Sequence, residues 1–193
     1  AREGQARTGP RFFGSVGMVT EFAAFHRRFR DRYEEALCRD LEGRPVKVPW
    51  LTDHQSDGVP FWWCCTRQPL FRQYLRERVV ETLRAGADGL HIDDHLGTAG
   101  GLWLGLCFCD RCVEGFRSFR SRLSAPSAAA EEEDPVAPGA DYRTQTRRWL
   151  SESPGRQVTG APRWSEWTEY QCRGALELMQ ELRALAAATA GRP

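Results

Sequence analysis

A helical stretch that stops at Gly86 and gives way within two residues to an apolar run is the feature that most restricts this chain. From Pro69, a residue that suits a helix start, Leu70, Phe71, Tyr74, Leu75, Val79, Val80 and Leu83 form one apolar stripe. Arg72, Arg76, Glu77, Glu81 and Arg84 line the opposite face. Asp88 to Asp93 then reads as a buried strand after a very short connection. A helix joined so closely to a strand belongs to a βα repeat, which implies a parallel sheet with helices packed on it. The expected fold class is therefore α/β.

The remaining segments are placed around that unit. Residues 1–17, polar and rich in Gly and Arg, read as loop. From Thr20 to about Leu41, Phe22, Phe25, Phe29, Tyr33, Ala36 and Leu37 recur at helical spacing, and Gly43 suits the position just after the helix end. Pro45 to Leu51 is a short β-like run, followed by a loop from Thr52 to about Arg67. Val113, Phe116, Phe119 and Leu123 predict a further helix. Residues 124–141, rich in Ala, Pro and acids, read as a flexible surface insert, and a long helix is expected from about Arg163 to Ala188.

The 193 residues suit one domain, with 27 basic and 26 acidic side chains and a net charge of +1 that gives no reason to expect a nucleic-acid partner. There is no run of eighteen apolar residues and no apolar core of a secretory signal at the N-terminus. The expectation is a cytoplasmic chain without a membrane partner.

Seven cysteines are an odd count, and three are crowded as C-x-C-x-x-C at Cys107, Cys109 and Cys112. Zinc takes four tetrahedral ligands, commonly thiolates, and a Cys-x-x-Cys turn presents two sulfurs to one ion. Cys65 is the natural fourth ligand, with Cys64 or His95 as alternatives. Free thiols and a redox pair at Cys109 and Cys112 are the competing readings. Four thiolates leave no position for water, so the zinc is structural. Cys38 and Cys172 fall on expected helix faces and read as small apolar side chains.

The strand at 89–93 ends in Asp93 and Asp94. Ligands meet parallel sheets at the carboxyl ends of their strands. Consecutive strand residues point to opposite sides, so one acid of the two faces a substrate, and alternation does not decide which. His91 shares the side of Asp93. Asp53 and His54, after the β-like run, are placed to reach the same rim.

Cys65 to Phe119 resembles the (β/α)8-barrel glycoside hydrolases, specifically the family-42 β-galactosidases and related hydrolase-like proteins. The likeness rests on Cys65-Thr66-Arg67-Gln68-Pro69 with Phe71-Arg72, then a strand ending in acids, then Cys107, Cys109 and Cys112 followed by Phe116-Arg117. The helix from Trp164 to Tyr170 is also similar, so the resemblance spans roughly 45–185. It implies a partial barrel, roughly the second to fourth βα units, with a structural zinc on the four cysteines and a carbohydrate substrate. In the family the fourth strand carries an Asn-Glu pair whose Glu is the acid/base. That pair falls on Asp94-His95 here, so the Glu is absent and the role passes to Asp94, with Asp93 beside it. Asp53, His54, His91 and Trp63, one of seven tryptophans, are the expected sugar contacts. The second carboxylate belongs to a later strand. A barrel needs about 250 residues, so this length alone is expected to be inactive, and the full-length protein could form oligomers. Two rivals stand beside it: a non-catalytic zinc-stabilised α/β module, and a metal-dependent hydrolase built on His54, His91, His95, Asp93 and Asp94.

Overall fold

The computed structural model describes residues 9, 11–123 and 141–190. The insert expected at 124–141 lies outside the described residues apart from Asp141. In chain order the elements are β1 (Phe13–Gly17), α1 (Phe22–Arg28), β2 (Gln55–Ser56), β3 (Val59–Pro60), α2 (Pro69–Arg84), β4 (Gly89–Asp93), α3 (Asp110–Leu123), α4 (Tyr142–Ser151) and α5 (Trp164–Ala190). Short 3-10 turns lie at Tyr33–Ala36, Pro49–Leu51, Gly97–Leu104 and Val158–Gly160. No described helix is long and apolar enough to cross a membrane.

The α/β expectation holds at this level: β1 and β4 pair in parallel, Phe13 opposite Gly89 and Gly17 opposite Asp93. The expectation of loop over residues 1–17 is overturned for 13–17. Gly14 and Gly17 conceal this strand, because glycine weakens the strand signal. Gly14 is needed for close packing: a Cβ there would lie 2.0 Å from Thr82 Cγ2 on α2. Among the described residues the parallel sheet has these two strands, so a (β/α)8 barrel is not shown. Leu90 and Ile92 pack into the core with α2, whereas Phe13, Ser15, His91 and Asp93 stand exposed on the other face.

The helix expected from Thr20 to Leu41 breaks after α1. Phe29 has left helical geometry (φ −124), and Leu37 and Arg39 form antiparallel bridges to Cys64 and Pro45. Folding back lets Phe29 and Tyr33 close on Phe25, Tyr74 and Phe22, with ring centroids 5.2, 6.4 and 5.9 Å apart. Burial of aromatic rings outweighs helical periodicity here. The run Pro45–Leu51 joins this arm instead of the parallel sheet: Lys47 bridges Trp62, and the backbone coils at Pro49–Leu51. Asp57-Gly58, with φ 50 and 80, turns β2 into β3.

Two apolar cores result. One gathers Val16, Met18, Phe22, Phe25, Phe71, Leu75 and Val79 under the sheet. The other gathers Phe108, Phe116, Tyr142, Trp167 and Tyr170 around the buried cysteines. Helix α5 spans both, with Trp167 and Tyr170 in the second and Leu178 and Leu182 in the first. Arg67 fastens it midway. Its guanidinium lies 3.7 Å from the Tyr170 ring centroid and donates to the Tyr170 carbonyl, in space left by Gly174.

Gly14→Val is expected to lower stability by about 1–3 kcal/mol, the usual cost of overpacking, read as a lower urea midpoint. An unchanged midpoint would show that β1 does not press on α2.

Candidate metal centre and carboxylate rim

Three segments converge on one buried knot of thiols. Cys65 precedes α2, Cys107 and Cys109 follow the 3-10 turn after β4, and Cys112 sits in the first turn of α3. Their four Sγ atoms all lie within 4.8 Å of one another and all four residues are buried. Cys65 Sγ is 3.6 Å from Cys112 Sγ and 3.8 Å from Cys109 Sγ. Such a group of soft donors can hold a metal ion. The fourth member is Cys65. Cys64 points instead into the sheet core, and His95 is exposed.

The surroundings divide the four sulfurs, favouring negative charge on Cys65 and Cys107 and the thiol form on Cys109 and Cys112. The Arg39 amide donates to Cys107 Sγ at 3.4 Å, and Gln68 Nε2 donates to Cys109 Sγ at 3.5 Å. Cys112 lies in the first turn of α3, but its hydrogen bonds with Cys107, Cys109 and Cys65, and then burial, push its thiol well above the usual range. Hydrogen bonds from Cys107, Cys109 and Cys112 hold the Cys65 thiol well below its usual range. Burial pushes Cys107 up, but hydrogen bonds from Cys109 and Cys112 prevail and bring it to about 6. The donor Cys109 is raised, foremost by its hydrogen bond to Cys107.

Cys38 is not on a helix face as expected. It lies in the extended segment after the 3-10 turn, buried in the same core as the four thiols. The aromatic periodicity of residues 22–37 hid this placement, and no motif marks it. Cys172 does lie on helix α5, but it is exposed.

The strand end differs from simple alternation. Asp93 ends β4 on the exposed face beside His91, and its Oδ1 accepts the Asp94 amide at 3.0 Å. Asp94 has left strand geometry with φ 51. Its Oδ2 is buried and has no hydrogen-bond partner among the described residues. Burial, then the charge of Asp93, raises its carboxyl above the ordinary carboxylate range. Just beyond, Thr98 bonds Thr66: the Thr66 amide donates to Thr98 Oγ1 at 2.8 Å, and the two hydroxyls are 2.9 Å apart. The loop after the acids is thereby tied to the residue after Cys65.

The other expected contacts are not brought to this rim by the parallel sheet. Asp53 and His54 are exposed in the turn before β2, where the His54 ring meets Phe61 edge-on at 5.8 Å. Their run belongs to the antiparallel arm, which removes the basis for placing them at the end of a neighbouring parallel strand. Trp63 is 1% exposed and packs against Trp50, so its ring is core and not a platform for sugar.

The raised carboxyl gives a pH test. The folded chain binds the Asp94 proton more tightly than the unfolded chain, so ionised Asp94 costs stability above its folded value. That cost is relieved as pH falls through the folded value. Asp94→Asn, whose amide suits positive φ, should therefore raise the urea midpoint at pH 7, and the gain should fade towards pH 4. A pH-independent difference would remove the ionisation argument.

Neither family models, nor curated proteins, nor solved structures match this chain, so the arrangement of thiols and acids carries the chemistry by itself.

Proposed function

We propose that Cys65, Cys107, Cys109 and Cys112 hold a structural zinc ion, and that the strand end this clip braces supplies the proton donor of a glycoside hydrolase site. The thiol geometry carries the first half. A tetrahedron with zinc–sulfur bonds of about 2.3 Å has sulfur–sulfur edges of about 3.8 Å. The separations of 3.6 and 3.8 Å at Cys65 match those edges. All four positions are filled by sulfur, so the zinc would brace the loops and take no part in the reaction.

Asp94 supports the second half. A glycosidase needs one carboxyl that keeps its proton near neutral pH and a partner carboxylate across the scissile bond. Asp94 is partly buried and its carboxyl is shifted upward, the direction that a donor requires. Asp93 is not the partner: it is the preceding residue and accepts the Asp94 amide. The partner belongs to a further strand of a (β/α)8-type scaffold, of which β1, α2, β4 and α5 would be a part. The substrate class follows the resemblance to family-42 β-galactosidases noted above. A second reading is a non-catalytic zinc-stabilised α/β module, favoured by the open exposure of His91 and Asp93 on an uncovered sheet face.

Metal analysis of the purified protein should return one zinc per chain. Removal by a chelator, or Cys112→Ser, should lower the melting temperature by more than about 10 °C, because several kcal/mol are involved at about 2–4 °C each. Retention of zinc in Cys112→Ser would place the ion elsewhere, as in a His/Asp site. In the natural protein, Asp94→Asn should reduce aryl β-galactoside turnover by about 10²–10⁴-fold. Undiminished turnover would remove Asp94 from the role. Absence of turnover in the zinc-loaded natural protein would leave the non-catalytic module.

A further inference from the structure

We propose that Trp50, with Asp53 and His54, forms an accessory sugar-binding platform on the antiparallel arm, which holds a further pyranose residue of an oligosaccharide that reaches Asp94. The inference rests on the glycoside hydrolase reading above and deepens it: the substrate is a chain of sugars, gripped by the arm as well as by the rim.

Trp50 is 52% exposed, yet its backbone is fixed. Pro49 opens the 3-10 turn Pro49–Leu51, the Leu51 amide donates to the Val48 carbonyl at 3.0 Å, and the His54 amide donates to the Leu51 carbonyl at 3.1 Å. Leu51 packs against the core that holds the thiols. The Trp50 ring meets the buried Trp63 ring at 74°, with centroids 5.5 Å apart. One buried indole thus braces another that faces water. An aromatic side chain carried on a pre-set turn loses little freedom when a ligand stacks on it.

Trp63 also links this turn to the acids. A Cβ at Gly100 would lie 3.8 Å from Trp63 Cζ2, and Gly100 belongs to the turn Gly97–Leu104. The Gly97 amide at the start of that turn donates to the Asp94 carbonyl at 2.7 Å. The arm and the loop after Asp94 therefore meet, and Trp50 stands one ring beyond the contact. That is the place of a neighbouring sugar residue, not of the one that reacts.

The residues around Trp50 select the occupant. Thr52, Asp53, His54 and Gln55, which follow it in the chain, are all polar and exposed. A pyranose ring has a face of C–H groups that lies on an indole and a rim of hydroxyls that bond to carboxylate and imidazole. A protein partner would call for a broader apolar patch than one indole.

Calorimetric titration of the zinc-loaded natural protein with β-1,4-galactotetraose and with galactose tests this. The tetraose should bind about tenfold more tightly than galactose; Trp50→Ala should abolish the difference and Trp50→Phe should keep most of it. Asp53→Ala, at an exposed side chain away from the core, should weaken tetraose binding about threefold. Asp94→Asn should leave it within about twofold. In turnover, Trp50→Ala should raise KM for the tetraose about fivefold, with kcat and the aryl β-galactoside reaction unchanged. Unaltered tetraose affinity in Trp50→Ala and Asp53→Ala would overturn the platform and leave the glycosidase reading standing, and so would failure of the tetraose to bind a protein that turns over aryl galactosides. Tetraose binding that depends on Trp50 in a protein without turnover would support the platform and overturn the catalytic reading alone.

Discussion

The architecture turns on one dipeptide. Cys64 and Cys65 are adjacent in extended backbone, so their side chains point in opposite directions, and each is buried in a different core. Cys64 packs with Val16, Phe71 and Leu75 beneath the sheet. Cys65 enters the thiol knot beside Phe108 and Trp167. A shift that improves one core therefore disturbs the other. Helix α5 repeats the constraint at larger scale, since one rigid rod contributes side chains to both cores. Arg67, two residues past Cys65, holds that rod at Tyr170. The clip and the helix are two fastenings of a single joint.

The carboxylate rim inherits its order from this joint. The loop that follows Asp94 is bound through Thr98 to Thr66, and the next stretch ends in Cys107. Both ends of the loop beyond the acids are thus tied to segments that carry the clustered cysteines. Asp94 departs from the strand with positive φ and leaves Asp93 alone on the open face. The two neighbouring acids consequently meet different surroundings: Asp94 is partly desolvated and its carboxyl raised, whereas Asp93 stands exposed. Environment separates what sequence places side by side.

Much of this was legible in the residues. The apolar stripe from Leu70 to Leu83, the strand to Asp93 and the long helix through Trp167 and Leu182 each follow a regular period. The C-x-C-x-x-C spacing with Cys65 names the thiol group. What was hidden has physical causes. β1 contains Gly14 because α2 passes too closely for a side chain, and that glycine erases the strand signal. The stripe from Phe22 to Tyr33 is satisfied by an aromatic cluster that folds back on itself, so its spacing mimics a helix longer than seven residues. That misreading also concealed Cys38. The Asp57-Gly58 turn was a usable signal, but strands of two residues leave little alternation to accompany it. The special character of Asp94 depends on a left-handed backbone angle that pattern reading does not supply.

The β1–β4 pair has a consequence for how this chain meets others. Among the described residues, each strand has a ladder partner on one side, and the outward amides and carbonyls of both edges have none in the sheet. Such edges act as templates for strand addition. Phe13, 58% exposed, stands on the uncovered face between them. A strand recruited beside β4 would extend the ladder and change the dielectric around His91 and Asp93 in the same act. The edge is thus also a place where assembly can write itself into the chemistry of the rim.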